Sequence, residues 1–182
     1  MQFYLETPRL ILRDLQESDV DDFYKMDSNS DVHLYLGNNP ITSKHKALEI
    51  IQIIRQQYTN NDIGRWAMIE KQSGKFMGWS GLKLVTEEWN NHINFYDVGY
   101  RIHPNYWHKG YATESCKASI EYGFQTLNLH KIIGTANQNN KASLRVLEKC
   151  GLQFVEKFMW KDIQCNWLQI LKKDWNAINN EL

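Results

Sequence analysis

Asp97-Val98-Gly99-Tyr100-Arg101-Ile102-His103-Pro104-Asn105-Tyr106-Trp107-His108-Lys109-Gly110-Tyr111-Ala112-Thr113-Glu114 reads as a strand, a short glycine-bearing loop and the start of a long amphipathic helix. Such a turn aims unpaired backbone N–H groups and the positive end of a helix dipole at one point, a natural seat for a diphosphate. A loop with one glycine is weak evidence by itself, so the elements around it must decide what it holds.

Downstream, residues 112–127 carry Cys116, Ile120, Phe124 and Leu127 on one helical face, and residues 131–136 form a short strand. Residues 140–149 then read as a helix with Asn140 at its cap and Gly151 just past its end. Residues 152–160 and 165–171 form a closing hairpin, and the last ten residues a polar tail. Upstream, residues 94–102 are the third strand of an antiparallel meander whose first two are residues 66–70 and 76–85, turned at Ser73-Gly74. Before the meander, Ala47, Ile50, Ile51, Ile54 and Tyr58 recur at helical spacing after a start near Thr42 or Ser43. Residues 28–39 are polar loop with a helical turn around residues 32–36. Ser18 with Asp21 starts a first helix that runs to about Asp27 and buries Val20, Phe23 and Tyr24. Residues 5–12 form an opening strand with Leu10 and Leu12 on one side and Arg9, Ile11 and Arg13 on the other. The chain lacks an internal repeat or linker, so residues 1–182 are expected to form one mixed α/β domain.

Composition removes several classes of function. The 21 basic residues equal the 21 acidic ones, so no global field recruits nucleic acid or an anionic membrane. No apolar run approaches the roughly 20 residues of a membrane span. Cys116, Cys150 and Cys165 are odd in number, far apart and outside any CxxC pair. With no secretory signal they point to reduced thiols in a cytoplasmic protein. No His, Cys and carboxylate spacing suggests a metal site.

With its elements in place, the chain resembles the GNAT superfamily of acetyl-CoA-dependent N-acetyltransferases, in the branch that acetylates N-termini of ribosomal proteins. Thr7-Pro8-Arg9-Leu10-Ile11-Leu12-Arg13, the stretch from Asp97 to Glu114, Asn140-Lys141-Ala142-Ser143 and Leu147-Glu148-Lys149-Cys150-Gly151-Leu152 carry the resemblance, in order and over nearly the whole chain. It implies that the third meander strand and strand 131–136 run parallel and splay apart. Pantetheine of acetyl-CoA then lies in the split against backbone at Tyr100, Arg101 and Ile102. The diphosphate sits on amides of His108, Lys109, Gly110, Tyr111, Ala112 and Thr113. Lys109 is either a phosphate contact or a solvated loop lysine. Relatives usually have glycine where this chain has His108, so either the position does not need φ > 0 or the loop is shifted.

Acetyl transfer to an amine needs a neutral amine, a polarised thioester oxygen and a stabilised leaving thiolate. Asp97 is the candidate base, its alternative an ion pair with Arg101 further along the same strand face. The tyrosine that many GNAT enzymes place near the sulfur falls at Leu147 and is absent. Ser143 is the candidate partner of the leaving sulfur, its alternative a cap of the first helical turn. Asn140 caps its helix and bonds a pantetheine amide. Glu114 is structural, and Trp79 or residues 32–40 line the acceptor pocket. The partners implied are acetyl-CoA and a primary amine, with a homodimer left open. No cysteine has a histidine partner, which disfavours an acyl-enzyme. A rival of another class is an acyl-CoA-binding module with weak or no catalysis. A nucleotide-phosphate cradle lacks the Gly-Lys-Ser/Thr ending that would make it a P-loop.

Overall fold

The computed structural model describes residues 3–180. Eight strands form one mixed sheet: β1 (Tyr4–Glu6), β2 (Leu10–Asp14), β3 (Trp66–Glu70), β4 (Phe76–Val85), β5 (Phe95–Ile102), β6 (Lys131–Asn137), β7 (Gln153–Trp160) and β8 (Ile163–Leu171). Their order across the sheet is β1-β2-β3-β4-β5-β6-β8-β7. All neighbours are antiparallel except β5 and β6, which run parallel. The helices are α1 (Val20–Asp27), α2 (Ser30–His33), α3 (Lys44–Asn61), α4 (Tyr111–Gln125), α5 (Lys141–Lys149) and α6 (Lys172–Asn180).

Strand alternation sorts the core into two layers. Leu10, Leu12, Trp66, Met68, Leu82, Val98 and Ile102 pack with Cys116, Ile120 and Phe124 of α4 and Leu144 and Leu147 of α5. Ala67, Ile69 and Phe76 face the other way, onto Phe23 and Met26 of α1 and Ala47, Ile51 and Ile54 of α3. The expected apolar stripes of α3 and α4 are therefore the faces that bury.

Four local expectations are corrected. Residues 5–12 form two strands, because Pro8 offers no ladder donor and restricts the residue before it. The Thr7 N–H closes the turn on Leu10 O at 2.9 Å, so β1 folds back on β2. The first helix starts at Val20 after a 3-10 turn at Glu17–Asp19. Gln16, rather than Ser18, is the N-cap residue of that turn, and Asp19 Oδ2 accepts from its N–H at 2.8 Å. Phe23 and Met26 bury there, while Val20 and Tyr24 are only partly covered. The helical turn of the polar loop lies at Ser30–His33, with Asn29 as its cap. Finally, residues 172–180 are helical rather than an irregular tail. The Lys172 N–H donates to His130 O at 3.0 Å, and the Trp175 ring lies 5.5 Å from that of Phe124. Among the described residues no helix is long and apolar enough to cross a membrane.

Arg65 ties β4 and β5 together from the residue just before β3. Its guanidinium donates to the Gly81 and Asp97 carbonyls and forms an ion pair with the Asp97 carboxylate. Gly99 makes room for it, since a Cβ there would stand 2.8 Å from Arg65 Nη2. Both partners are buried, at 8% and 6% exposure. Removing one member of a buried pair strands the other charge, whereas replacing both with apolar groups is often close to neutral. Arg65→Met is expected to cost about 3–5 kcal/mol, seen as a lowered urea midpoint. Arg65→Met with Asp97→Leu should recover most of that loss.

Candidate active site

The site grows from the place where two parallel strands part. β5 and β6 share one register pair, Asp97 with Ile133. Beyond Asp97, β5 stays paired with β4 as far as Ile102 opposite Gly78, while β6 pairs with β8 through Asn137. Each strand keeps a full ladder on its outer side, so the edges that face one another open into a cleft.

Tyr100 reaches across that cleft. By alternation Val98, Tyr100 and Ile102 point to the α4 and α5 side, opposite Asp97 and Arg101. The Tyr100 hydroxyl lies 2.9 Å from Ser143 O and 3.0 Å from Ser143 Oγ, in the first turn of α5. Asn140 caps α5, its Oδ1 accepting from the Ser143 N–H at 3.0 Å. The cap is thus Asn140, and the Ser143 side chain is turned to Tyr100 instead. Tyr100, Asn140 and Ser143 form one cluster. Leu147 is packed in the core at 1% exposure.

At the end of β5 the chain turns sharply into α4. The Trp107 indole N–H returns to Ile102 O at 2.7 Å, and a 3-10 turn spans Pro104–Tyr106. His108 has φ +60° and Gly110 φ +82°. Gly110 is the N-cap residue of α4 and provides no capping side chain. The N–H groups of Tyr111, Ala112 and Thr113 lie in the first turn, where the helix itself offers them no acceptor. His108, Lys109 and Gly110 are exposed beside them. Lys109 Nζ lies 2.9 Å from Asn105 O. His108 therefore does take up the left-handed backbone that glycine favours; a histidine there costs on the order of 1 kcal/mol.

Glu114 fastens this loop to the first hairpin. Its Oε1 accepts from Thr7 Oγ1 at 2.6 Å and the Arg9 N–H at 2.9 Å, while Oε2 takes Arg9 Nε at 2.6 Å. Arg9 Nη1 then donates to Lys109 O at 2.9 Å, and the guanidinium lies 4.3 Å over the Tyr111 ring. Burial alone would raise the Glu114 carboxyl, but these bonds outweigh it and hold the carboxyl below its ordinary range. The Thr7-Pro8-Arg9 motif is thus a brace for the loop, 100 residues away in sequence.

The opposite face of β5 carries a second polar cluster. Asp97 is engaged by Arg65, and Arg101 donates to Asp27 Oδ1 at 2.6 Å. The expected Asp97–Arg101 pair is not formed. The two lie four residues apart on one strand, about 13 Å, and each has a nearer partner from another element. Trp79 lies between the guanidiniums, 5.5 Å from that of Arg65 and 5.2 Å from that of Arg101. His33 Nε2 is 3.6 Å from Asp27 Oδ1. Burial pushes its imidazole below the ordinary value, against the pull of Asp27. Through Arg101 and Asp27, Trp79 and His33 of the segment after α1 belong to one cluster. Arg65, Asp27, His33 and the Tyr100 side chain were not singled out from the sequence. Strand alternation could have flagged Tyr100, and paired Gly81 and Gly99 on neighbouring strands could have flagged a flat group lying over them.

Residues 9–153 match the family described as Acetyltransferase (GNAT) domain. The chain belongs to the GNAT acetyltransferases. An uncharacterized N-acetyltransferase of Bacillus licheniformis, p20, is 30% identical over 149 residues, covering 82% of each chain. Two solved structures share the fold at lower identity. The ribosomal-protein-S5-alanine acetyltransferase of Vibrio fischeri has a TM-score of 0.72 at 18% identity, over 95% of this chain and 98% of that one. The spermidine N-acetyltransferase of Vibrio cholerae, in complex with CoA and spermine, has a TM-score of 0.72 at 20% identity, over 93% and 99%. As a GNAT protein the chain is an acyltransferase of the N-acetyltransferase class.

The backbone at His108 can be tested directly. His108→Gly relieves the left-handed strain but frees the unfolded chain, two effects of about 1 kcal/mol that oppose each other. Its unfolding free energy should stay within about 0.5 kcal/mol of wild type. His108→Ile places a β-branched residue at φ +60° and should lose about 2 kcal/mol by denaturant titration.

Proposed function

We propose that the chain, folded as one domain, moves an acetyl group from acetyl-CoA to a primary amine by direct attack in a ternary complex. The observation that carries this reading is the continuity of two features: the cleft where β5 leaves β6, and the uncapped start of α4, joined to the end of β5 by the loop of residues 103–110. The amides from His108 to Thr113 take the diphosphate, where helix dipole and free N–H groups both favour an anion. Gly110 keeps a side chain out of that seat. Lys109 adds a phosphate contact by leaving the Asn105 carbonyl. Pantetheine runs along Tyr100, Arg101 and Ile102 with a bond to Asn140, which brings the thioester beside Ser143.

In the transfer the amine nitrogen forms a bond to the acetyl carbon and the carbon–sulfur bond breaks, its electron pair going to sulfur. A backbone N–H of β5 polarises the carbonyl oxygen, and the Ser143 hydroxyl donates a hydrogen bond to the departing thiolate. The amine loses one proton to water and the thiolate gains one, leaving an amide and free CoA. Asp97 is not assigned the base, because a carboxylate held by Arg65 at 6% exposure has no free path to the amine. The amine class of acceptor is supported by the spermine complex of the Vibrio cholerae relative. Cytoplasmic residence fits the three free cysteines, all of them buried.

The test is release of thiol from acetyl-CoA in the presence of peptide N-termini, polyamines, amino sugars and amino acids. At least one amine should raise release well above hydrolysis. Acetyl-CoA binding with no amine-dependent release would instead make the protein an acyl-CoA-binding module. Gly110→Val, at φ +82°, should raise the KM for acetyl-CoA about tenfold or more, a loss of roughly 1.4 kcal/mol; an unchanged KM would move the diphosphate elsewhere. Ser143→Ala should lower kcat about tenfold, roughly 1.4 kcal/mol of transition-state stabilisation, with little change in that KM.

A further inference from the structure

Tyr100 is half-buried, its ring packed against the core under α4 and α5, and its hydroxyl is in contact with one residue of α5 through two oxygens. The phenol has one hydrogen and two acceptors in reach, Ser143 O and Ser143 Oγ. Burial raises its pKa well above the ordinary tyrosine value, so the hydrogen stays on the oxygen. Asn140 already satisfies the Ser143 N–H, which leaves the serine hydroxyl without a structural duty in the helix cap.

A serine hydroxyl is a weak donor to a leaving thiolate. Its donor strength rises when its own oxygen accepts a hydrogen bond, because successive bonds polarise one another. We propose that Tyr100 is a positioning residue for Ser143: its Oη–H donates to Ser143 Oγ and turns the serine hydrogen into the β5–β6 cleft, where the CoA sulfur departs. This rests on the acetyl-transfer reading above, since it requires the sulfur in that cleft. The competing arrangement has the phenol bonded to Ser143 O, with the serine hydroxyl donating back to Oη. That arrangement ties β5 to α5 and gives Tyr100 a part in stability alone.

The two are separated by kcat, the KM for acetyl-CoA and the thermal midpoint of Tyr100→Phe, Ser143→Ala and the double variant. Phenylalanine keeps the ring that packs in the core. If Tyr100 acts through Ser143, Tyr100→Phe lowers kcat about tenfold, about 1.4 kcal/mol, with KM within about twofold. Added to Ser143→Ala it then lowers kcat no further. Independent effects that multiply, or an unchanged kcat with only a lower midpoint, overturn the proposal. Tyr100→3-fluorotyrosine is a second probe that preserves the fold. Its altered donor strength should shift kcat in the presence of Ser143 and leave the Ser143→Ala enzyme unaffected; equal shifts in both also overturn it. Acetyl-CoA bound by the wild type with no amine-dependent thiol release would refute the transfer reading itself, and is seen before any variant is made.

Discussion

The parting of β5 from β6 is the constraint on which the rest of the molecule depends. Backbone groups inside a protein need partners, so a strand edge left open is normally costly. Here the opening is sustained because each strand is satisfied on its far side, β5 by eight consecutive positions of β4 and β6 by seven of β8. The sheet is two antiparallel halves that meet at Asp97 and Ile133 and then diverge. The start of α4, with no capping side chain, follows the loop that leaves this edge.

Three arginines hold that arrangement from different directions. Arg9 links the first hairpin to the loop before α4 through Glu114, Arg65 lies across β4 and β5 to Asp97, and Arg101 joins β5 to the end of α1 through Asp27. Each spans elements remote in sequence, and each carries more than one hydrogen bond or an aromatic face. The planar guanidinium suits this use, since it satisfies a carboxylate and backbone carbonyls together. On the face of β5 turned away from α4 and α5, these pairs match buried Asp27 and Asp97 each with a cation, and the Trp79 ring lies near both guanidiniums.

The loop between β5 and α4 concentrates unusual backbone. Two of its residues occupy left-handed conformations within three positions, His108 and Gly110. Glycine at 110 meets its dihedral requirement without a Cβ, which would stand 3.4 Å from Arg9 Nη2. Histidine at 108 meets only the dihedral requirement, at a modest cost that the Trp107 and Arg9 bonds around it offset.

The sequence by itself determined most of the elements and their order, the split of the first strand and the C-terminal helix excepted. Periodicity placed the strands from Trp66 to Glu70 and from Phe76 to Val85 at their observed limits and the start of α3 near Thr42 or Ser43, and cap chemistry placed Asn140 at the start of α5. These signals are local: alternation, helical spacing and side-chain caps act over a few residues, so they survive without knowledge of the fold. The motifs around Gly110 and Asn140 were legible for the same reason. Tertiary structure alone decided which charges meet and what faces the cleft. Arg65 rather than Arg101 takes Asp97, Glu114 closes on Thr7 across 107 positions, and Tyr100 meets Ser143 across 43. The C-terminal helix likewise formed where its own polarity argued for none, because Trp175 finds the Phe124 surface. Partner choice among long side chains depends on distances in space between elements, and no spacing along the chain records those distances.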